Sequence, residues 1–403
     1  MMKRLSAVFL SACLALHCLA VSAQTFEYDV DFTYLFDNLE CGKCNDFYCE
    51  SSTLHAARLT PQVGVGFGQD AGFRHKVMAG IDVMKNMGEA SRVSGTEGEG
   101  YDNKKLFREM VLYYNLEKDF NGGTFSALAG CFSKANSEGH YSEVFYSDYS
   151  RFYDNNMEGM LFKWRSSRLY AELGLDWMGM HGEWRRERFQ IRTAGKWDIS
   201  KRFCLGWDGV VYHFAGSDNT PGVVDNNMIE GYFRFNIAPD SGFQELYAQL
   251  GYIGGYQRDR NVDDTSFKTG GGEFVFSAKR WNVGIQNDLY YGGDLMRYYD
   301  RTYSSGPLPY KYGSDLYMGN TFYHFVSGQG LYDRLEIYYQ PKITDFISLR
   351  LSVRLHFVSQ KNAPSGLVGN QEAAALLFNL DAVRRHAGKK EGKPRHFGEY
   401  FVM

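Results

Sequence analysis

TFEYDVDFTYLFD, residues 25–37, alternates almost without fault. Phe26, Tyr28, Val30, Phe32, Tyr34 and Phe36 fall on one face of an extended chain. Glu27, Asp29, Asp31, Thr33 and Asp37 fall on the other, with Leu35 the only break. A strand has period 2, so one face is aromatic and the other acidic. The pattern returns down most of the chain. Repeated alternation with this many aromatics predicts an all-β fold, a single antiparallel transmembrane β-barrel with a polar interior.

The ends fit an exported protein. Lys3 and Arg4 precede an apolar stretch, Leu5 to Val21, and Val21-Ser22-Ala23 before Gln24 is a small-residue cleavage site. Residues 1–23 therefore read as a cleaved signal peptide. Leu10-Ser11-Ala12-Cys13 resembles a lipoprotein box, but the apolar run before it is short, so cleavage after Ala23 is the preferred reading. Residues 24–381 read as the barrel and 382–403 as a basic periplasmic tail.

Beyond residue 23 no apolar run reaches the roughly 18 residues a membrane helix needs. The mean hydropathy of -0.40 would suit a soluble protein. A barrel resolves the conflict, because only alternate residues face lipid. Aromatics make up 16 % of the chain, enough to furnish two interfacial girdles. Only 8 prolines occur, as a sheet that needs its backbone donors requires. A net charge of -3 offers nucleic acid no basic surface.

Sixteen strands are predicted, at 26–37, 54–68, 73–85, 106–118, 123–135, 157–165, 168–178, 187–198, 203–214, 226–238, 243–257, 267–279, 281–292, 331–341, 346–358 and 370–380. Their connections alternate in length. Short ones are 69–72, 119–122, 166–167, 199–202, 239–242 and 342–345. Long ones are 38–53, 86–105, 136–156, 215–225 and 293–330. Short inner turns, long outer loops and both ends inside are the barrel pattern. Leu316-Tyr317-Met318 has room for a short extra strand. Pro61 removes a ladder donor from a paired strand and predicts a local bulge.

With these features the chain resembles the outer-membrane porins of Gram-negative bacteria, over residues 26–380. The resemblance is architectural and carries no diagnostic motif. It implies a channel for passive diffusion of small polar solutes or ions, set in outer-membrane lipid and inserted by the barrel assembly machinery. It also implies a possible homo-oligomer and no cofactor. Such barrels end on an aromatic residue of the last strand. Phe378 matches, yet a tail follows with Arg384, Arg385, Lys389, Lys390, Lys393 and Arg395. That tail reads as a solvated end, and its final Glu399-Tyr400-Phe401-Val402-Met403 is an alternative terminal signal.

The polar faces would put charges of both signs in the lumen. Hairpin counting places Glu336 opposite Arg350 and Arg192 opposite Asp208. Each wet pair would be worth about 0.2–1 kcal/mol, and stiffening the wall is as good an account of them as solute selection. Closure of the barrel would set Arg350, Arg354 and His356 across from Glu27, Asp29 and Asp31. Only the small Ala373 and Ala375 would intervene, and a transverse field would result. Sixteen strands are enough for an aqueous channel unless loops fill it. Loop 293–330 carries Tyr298, Tyr299, Tyr303, Tyr310, Tyr312 and Tyr317. These read as surface or girdle aromatics in preference to sugar-stacking rings.

Cys41, Cys44 and Cys49 cluster in the first long loop, CGKCNDFYC. A disulfide among them is the first reading in an oxidising compartment, ahead of free thiols. A metal site ranks third, since Asp46 or His55 would have to complete it and no second CxxC does so. No catalytic residue is predicted. A lipid hydrolase is the weaker alternative: His140-Tyr141-Ser142 has the His-x-Ser spacing of outer-membrane phospholipases, but Glu143 replaces their following Asn. Gly270-Gly271-Gly272-Glu273 lacks a following helix and reads as a strand bend. A surface receptor or adhesin with a plugged lumen is the alternative binding class. A plugged importer would need about 22 strands and is disfavoured.

Overall fold

The computed structural model describes residues 25–42, 51–68, 72–88, 106–219, 222–239, 242–303, 310–341, 343–344 and 346–380. The predicted signal peptide, Cys44, Cys49 and the predicted basic tail lie outside them. Sixteen strands close into one antiparallel barrel in chain order. We number them β1 (Thr25–Cys41), β2 (Ser52–Phe67), β3 (Phe73–Asn86), β4 (Phe107–Phe120), β5 (Gly123–Ser133), β6 (Asn156–Arg165), β7 (Leu169–Gly179) and β8 (Arg188–Asp198). The second half holds β9 (Phe203–Phe214), β10 (Val224–Asn236), β11 (Glu245–Asp259), β12 (Phe267–Arg280), β13 (Val283–Gly293), β14 (Gln329–Tyr339), β15 (Ile347–Gln360) and β16 (Gly366–Asn379). The last strand pairs with the first, Phe378 beside Phe32 and Ala375 beside Leu35.

Every predicted strand is present. The even count returns both ends of the barrel to the rim that carries the short turns. The optional strand at 316–318 is absent. A short helix, α2 (Gly313–Leu316), takes up Leu316, and the only strand-like pairing described in that loop is Thr302–Tyr303 with Tyr310–Lys311.

The outer wall is apolar. Phe26 on β1, Met110 and Leu112 on β4, Leu173 on β7, Leu250 on β11 and Ile337 on β14 all point outward and are exposed. Around the turn rim sit Trp197, Trp281, Phe120 and Phe203, also exposed. An apolar belt edged by rings is what a lipid bilayer stabilises on a barrel.

Pro61 does not cause a bulge. The β2–β3 ladder lapses at Thr60 and Pro61 and resumes in the same register, from Leu59 with Val83 to Gln62 with Gly80. The missing donor is skipped rather than accommodated by an extra residue. Side chains hold the gap: Thr60 Oγ1 donates to Asp82 at 3.3 Å, and Arg58 pairs with Asp82 at 2.8 Å. The bulge lies one strand on, between Asp82 and Val83 where β3 meets β4.

Both predicted cross-strand charge pairs are corrected. Glu336 stands opposite Arg354, not Arg350. The last pair of that hairpin is Tyr339 with Leu351, so the connection is longer than the four residues assumed. Arg192 stands opposite Val210, and Asp208 opposite Ala194. There the last pair is Asp198 with Cys204, and Ser200 N–H donates to the Phe203 carbonyl at 3.1 Å. Both shifts are by an even number of residues, so partners change while faces do not.

The filled lumen as candidate functional site

Two long loops of the rim opposite the chain ends turn into the barrel. The first (134–155) follows β5. The second (294–328) follows β13. They dock on each other through main chain: Ser147 N–H donates to the Met318 carbonyl and Asn320 N–H to the Glu143 carbonyl, each at 2.8 Å. The first loop ends in helix α1 (Asp148–Tyr153), capped by Ser147, whose hydroxyl accepts from Ser150 N–H at 3.2 Å.

The apolar parts of both loops pack against inward wall residues. Tyr141, Phe145 and Tyr146 from the first loop join Tyr298, Tyr312, Tyr317 and Phe322 from the second, with Tyr212, Phe214 and Tyr332 from the wall. Tyr298, Tyr312 and Tyr317 are at most 2 % exposed, so they are neither surface nor girdle aromatics. Their hydroxyls are used inward. Tyr312 donates to Asp259 at 2.9 Å, Tyr317 to Gln257 at 2.8 Å, and Tyr298 to the main-chain-bound Asp263. A buried ring with a satisfied hydroxyl is core, not a vacant stacking platform. The side chains of Tyr303 and Tyr310 lie outside the described residues.

Leu35, the one fault in the opening alternation, is explained by this filling. It points into the lumen and packs with Leu54, Ala56, Ala375 and Leu377 around Phe152 of α1. A second inward apolar cluster covers Met78, Val111, Leu128, Phe132 and Leu161 on β3 to β6. The interior of this barrel is therefore partly a hydrophobic core.

The charged wall holds the loops at defined points. Arg334 on β14 binds Asp288, with Nε 2.8 Å from Oδ2, and pairs with Glu143 of the first loop. Arg354 binds Glu336 at 3.1 Å and Asp148 of α1 at 2.5 Å. Arg350 reaches Glu336 at 3.0 Å and lies 3.7 Å from the centroid of Tyr338. Arg58 donates to the Phe152 carbonyl. Lys134 lies 2.5 Å from Asp154 and 2.9 Å from Asp176. Burial opposes its charge, but these carboxylates outweigh burial and raise its pKa.

Two loop histidines behave oppositely. Burial would lower the His324 pKa, yet bonds to Asp294 (3.1 Å) and Asp300 (3.0 Å) raise it above the ordinary value. Burial, with Arg234, Arg151 and Arg334 nearby, lowers His140 to about 3.

The predicted site residues divide into separate groups. Glu336, Arg350 and Arg354 come together as expected of one face. His356 instead binds Tyr332 at 2.8 Å and Gln371 at 3.2 Å, and Gln371 donates to Asp37 at 2.7 Å. Asp29 and Asp31 both accept from Asn379. Glu27 lies 4.0 Å from Lys76 and accepts from Thr25 at 2.7 Å. Gln371 thus links His356 to Asp37, Asn379 engages Asp29 and Asp31, and the arginines are met by Glu336 and Asp148. Arg192 makes no cross-strand ion pair with Asp208; its guanidinium covers Tyr141 and Tyr146 at 4.3 and 4.8 Å.

Sequence reasoning missed Arg334, although it shares the inward parity already assigned to Glu336, and missed Glu230 and Glu273, which lie on strands whose faces it had not assigned. Glu143 and Asp148 gave no signal, because loop residues have no period. Ser142 lies in the lumen, where its hydroxyl donates to Glu273 at 3.4 Å and its N–H to Asp208 at 2.7 Å. Cys41 is disulfide-bonded, while Cys131 and Cys204 are free. Gly271 permits close approach rather than a bend: a Cβ there would lie 2.6 Å from the Gly292 Cα.

No family model and no curated protein matches the sequence. Solved structures do. The fold is similar to that of a loop L8 deletion mutant of OmpT, an outer membrane protein of Vibrio cholerae. The TM-score is 0.50 at 9 % identity, over 89 % of this chain and 100 % of that one. An anion-selective porin from Comamonas acidovorans scores 0.47 at 9 % identity, over 88 % and 99 % of the two chains. The outer membrane protein opdK from Pseudomonas aeruginosa scores 0.45 at 10 % identity, over 88 % and 98 %. At such identities the likeness is one of fold alone: this chain is a closed sixteen-strand antiparallel β-barrel similar to that Vibrio cholerae outer membrane protein.

Proposed function

We propose that the protein is an outer-membrane channel for small polar solutes or ions, with a bore set by its two inward loops rather than by the barrel wall. The observation that carries this reading is the way the loops are held. Their contacts with the wall include separable ion pairs, Glu143 with Arg334 and Asp148 with Arg354. A wall studded with charges of both signs suits polar solutes and rejects apolar ones. In this reading the chain ends and short turns face the periplasm and the long loops face outside, the ordinary orientation of such barrels.

A second reading is a surface receptor or adhesin with a closed lumen. The near-complete burial of the loop aromatics favours it. Single-channel recording of the full chain in planar bilayers separates the two. Stable open steps in wild type are expected for the channel. Silence in wild type and in Glu143→Gln/Asp148→Asn would leave the receptor reading. A homo-oligomer and recognition by the barrel assembly machinery are further proposals from the fold, tested by cross-linking in membranes and by depletion of that machinery.

A further inference from the structure

Beneath the inward loops, three wall carboxyls meet with no cation between them. Glu230 on β10 stands directly opposite Asp208 on β9. Glu273 on β12 stands opposite Gly251 on β11. Glu230 crosses Gly251 to reach Glu273: a Cβ on Gly251 would lie 2.4 Å from Glu230 Oε1. The Glu230 side chain is within hydrogen-bonding reach of both other carboxyls. All three side chains are buried. Asp208 Oδ1 and Glu230 Oε2 find no donor among the described residues. Two facing carboxylate oxygens without a donor are costly unless a proton sits between them.

The ends of this chain touch both loops. Asp208 accepts from Ser142 N–H at 2.7 Å. Glu273 accepts from Ser142 Oγ at 3.4 Å and from Tyr323 Oη at 3.2 Å. Ser142 belongs to the first loop and Tyr323 to the second. The neighbouring cations are engaged elsewhere. Arg234 donates to Gln249 Oε1 at 2.8 Å, and Gln249 turns its amide toward Glu230 at 3.5 Å. Arg334 is held by Asp288 and Glu143, and Arg151 donates to the Tyr141 carbonyl at 2.8 Å. Tyr232 on β10, His140 of the first loop, Asp288 on β13 and Tyr290 on β13, which stands opposite Glu273, are the other titratable groups around the three carboxyls.

We propose that Asp208, Glu230 and Glu273 form a proton-binding site that latches both inward loops into the lumen. With protons shared along the chain, the three carboxyls coexist and present fixed acceptors to Ser142 and Tyr323. Each proton lost leaves like charges in contact in a buried place, and the repulsion is relieved only by drawing the carboxylates apart and letting water in. The acceptors then move, and residues 139–147 and 318–325 loosen together. His324 also loosens the second loop as pH rises, but through Asp294 and Asp300, so the first loop reports on the carboxyl chain.

The test uses the full refolded chain in detergent micelles. Infrared difference spectra are taken between about pH 6 and about pH 9. A protonated-carboxyl C=O band is expected at the lower pH and lost at the higher, and Glu230→Gln removes it. In parallel, amide exchange of residues 139–147 is compared between wild type and Glu230→Gln at the same pH, which cancels intrinsic pH effects. At about pH 9, wild type is expected to exchange about tenfold faster than the variant, whose amide cannot ionise. Gly251→Ala, which pushes Glu230 off its path, is expected to speed exchange already at the lower pH. It serves if Glu230→Gln does not fold. Absence of the band at the lower pH overturns the proposal, as does equal exchange in wild type and Glu230→Gln at the higher. Neither readout uses conductance, so a chain silent in bilayers sinks the channel reading and leaves this one standing.

Discussion

At the scale of single residues, the lumen sets side chains against each other that would be unrelated in an open pore. Arg334 is 1 % exposed and joins β13, β14 and the first loop. Truncating it strands Asp288 without its cation, so Arg334→Ala should cost about 3–5 kcal/mol. Glu143→Gln keeps a hydrogen-bonding group and leaves Asp288 in place, and should cost about 1–3 kcal/mol. Amide exchange of residues 139–147, which reads opening of that loop, orders the two, and a larger loss in Glu143→Gln would refute the geometry. The histidines give opposite pH dependences. His324 has a folded pKa above its unfolded value near about 6.5. Its contribution is complete below the unfolded value and is lost as pH rises through the folded one. His140 has a folded pKa of about 3, so an unfolded first loop gains a proton that the folded one refuses. That loop should lose stability as pH falls from about 6.5 toward about 3. Exchange of segment 294–300 in His324→Gln should lose its alkaline rise, and a profile like wild type would exclude the assignment.

At the scale of elements, strand positions and faces were legible because a half-wet strand has period 2 and each face meets a different solvent. Cross-strand register was less legible. It depends on where the last ladder bond falls, and Gln340 to Phe346 form a longer connection than the turn residues alone indicate. The loops were not legible at all beyond their length. Their aromatics read as surface rings because nothing in one sequence says which way a loop turns. Helix α1 shows what that choice does: Phe152 reaches Leu35 and Ala375, the residues that looked like a fault and a gap. Phe152→Ala should remove an anchor worth about 3–5 kcal/mol in a core. A loop that opens as its own unit should leave the melting temperature nearly unmoved while the conductance of the proposed channel rises. A lowered melting temperature with unchanged conductance would mean that the loop is part of the barrel's own folding unit.

At the scale of the whole molecule, the proposed channel would draw its selectivity from the charge pattern of the lumen. Arg354 neutralises Glu336 and Asp148 together. Arg350→Ala/Arg354→Ala should therefore free two acids and move the reversal potential in a salt gradient toward cation preference. An unmoved potential would separate these arginines from the conduction path. On the outer wall, Leu173→Arg should lower stability by about 2–4 kcal/mol if the side chain lies near the bilayer midplane. The same change should be nearly neutral if that wall met water, and unfolding titrations in lipid vesicles distinguish the two.

The sequence by itself determined the sixteen strands, their inward and outward faces and the closed barrel. These follow from a local rule, that neighbours on a strand face opposite solvents, and each residue obeys it without reference to distant ones. Tertiary structure alone decided that two loops enter the lumen, that Glu143 and Asp148 find Arg334 and Arg354, and that Asp208, Glu230 and Glu273 converge across Gly251. Those contacts join residues far apart in the chain, and their stability comes from filling a space that exists only once the barrel has closed.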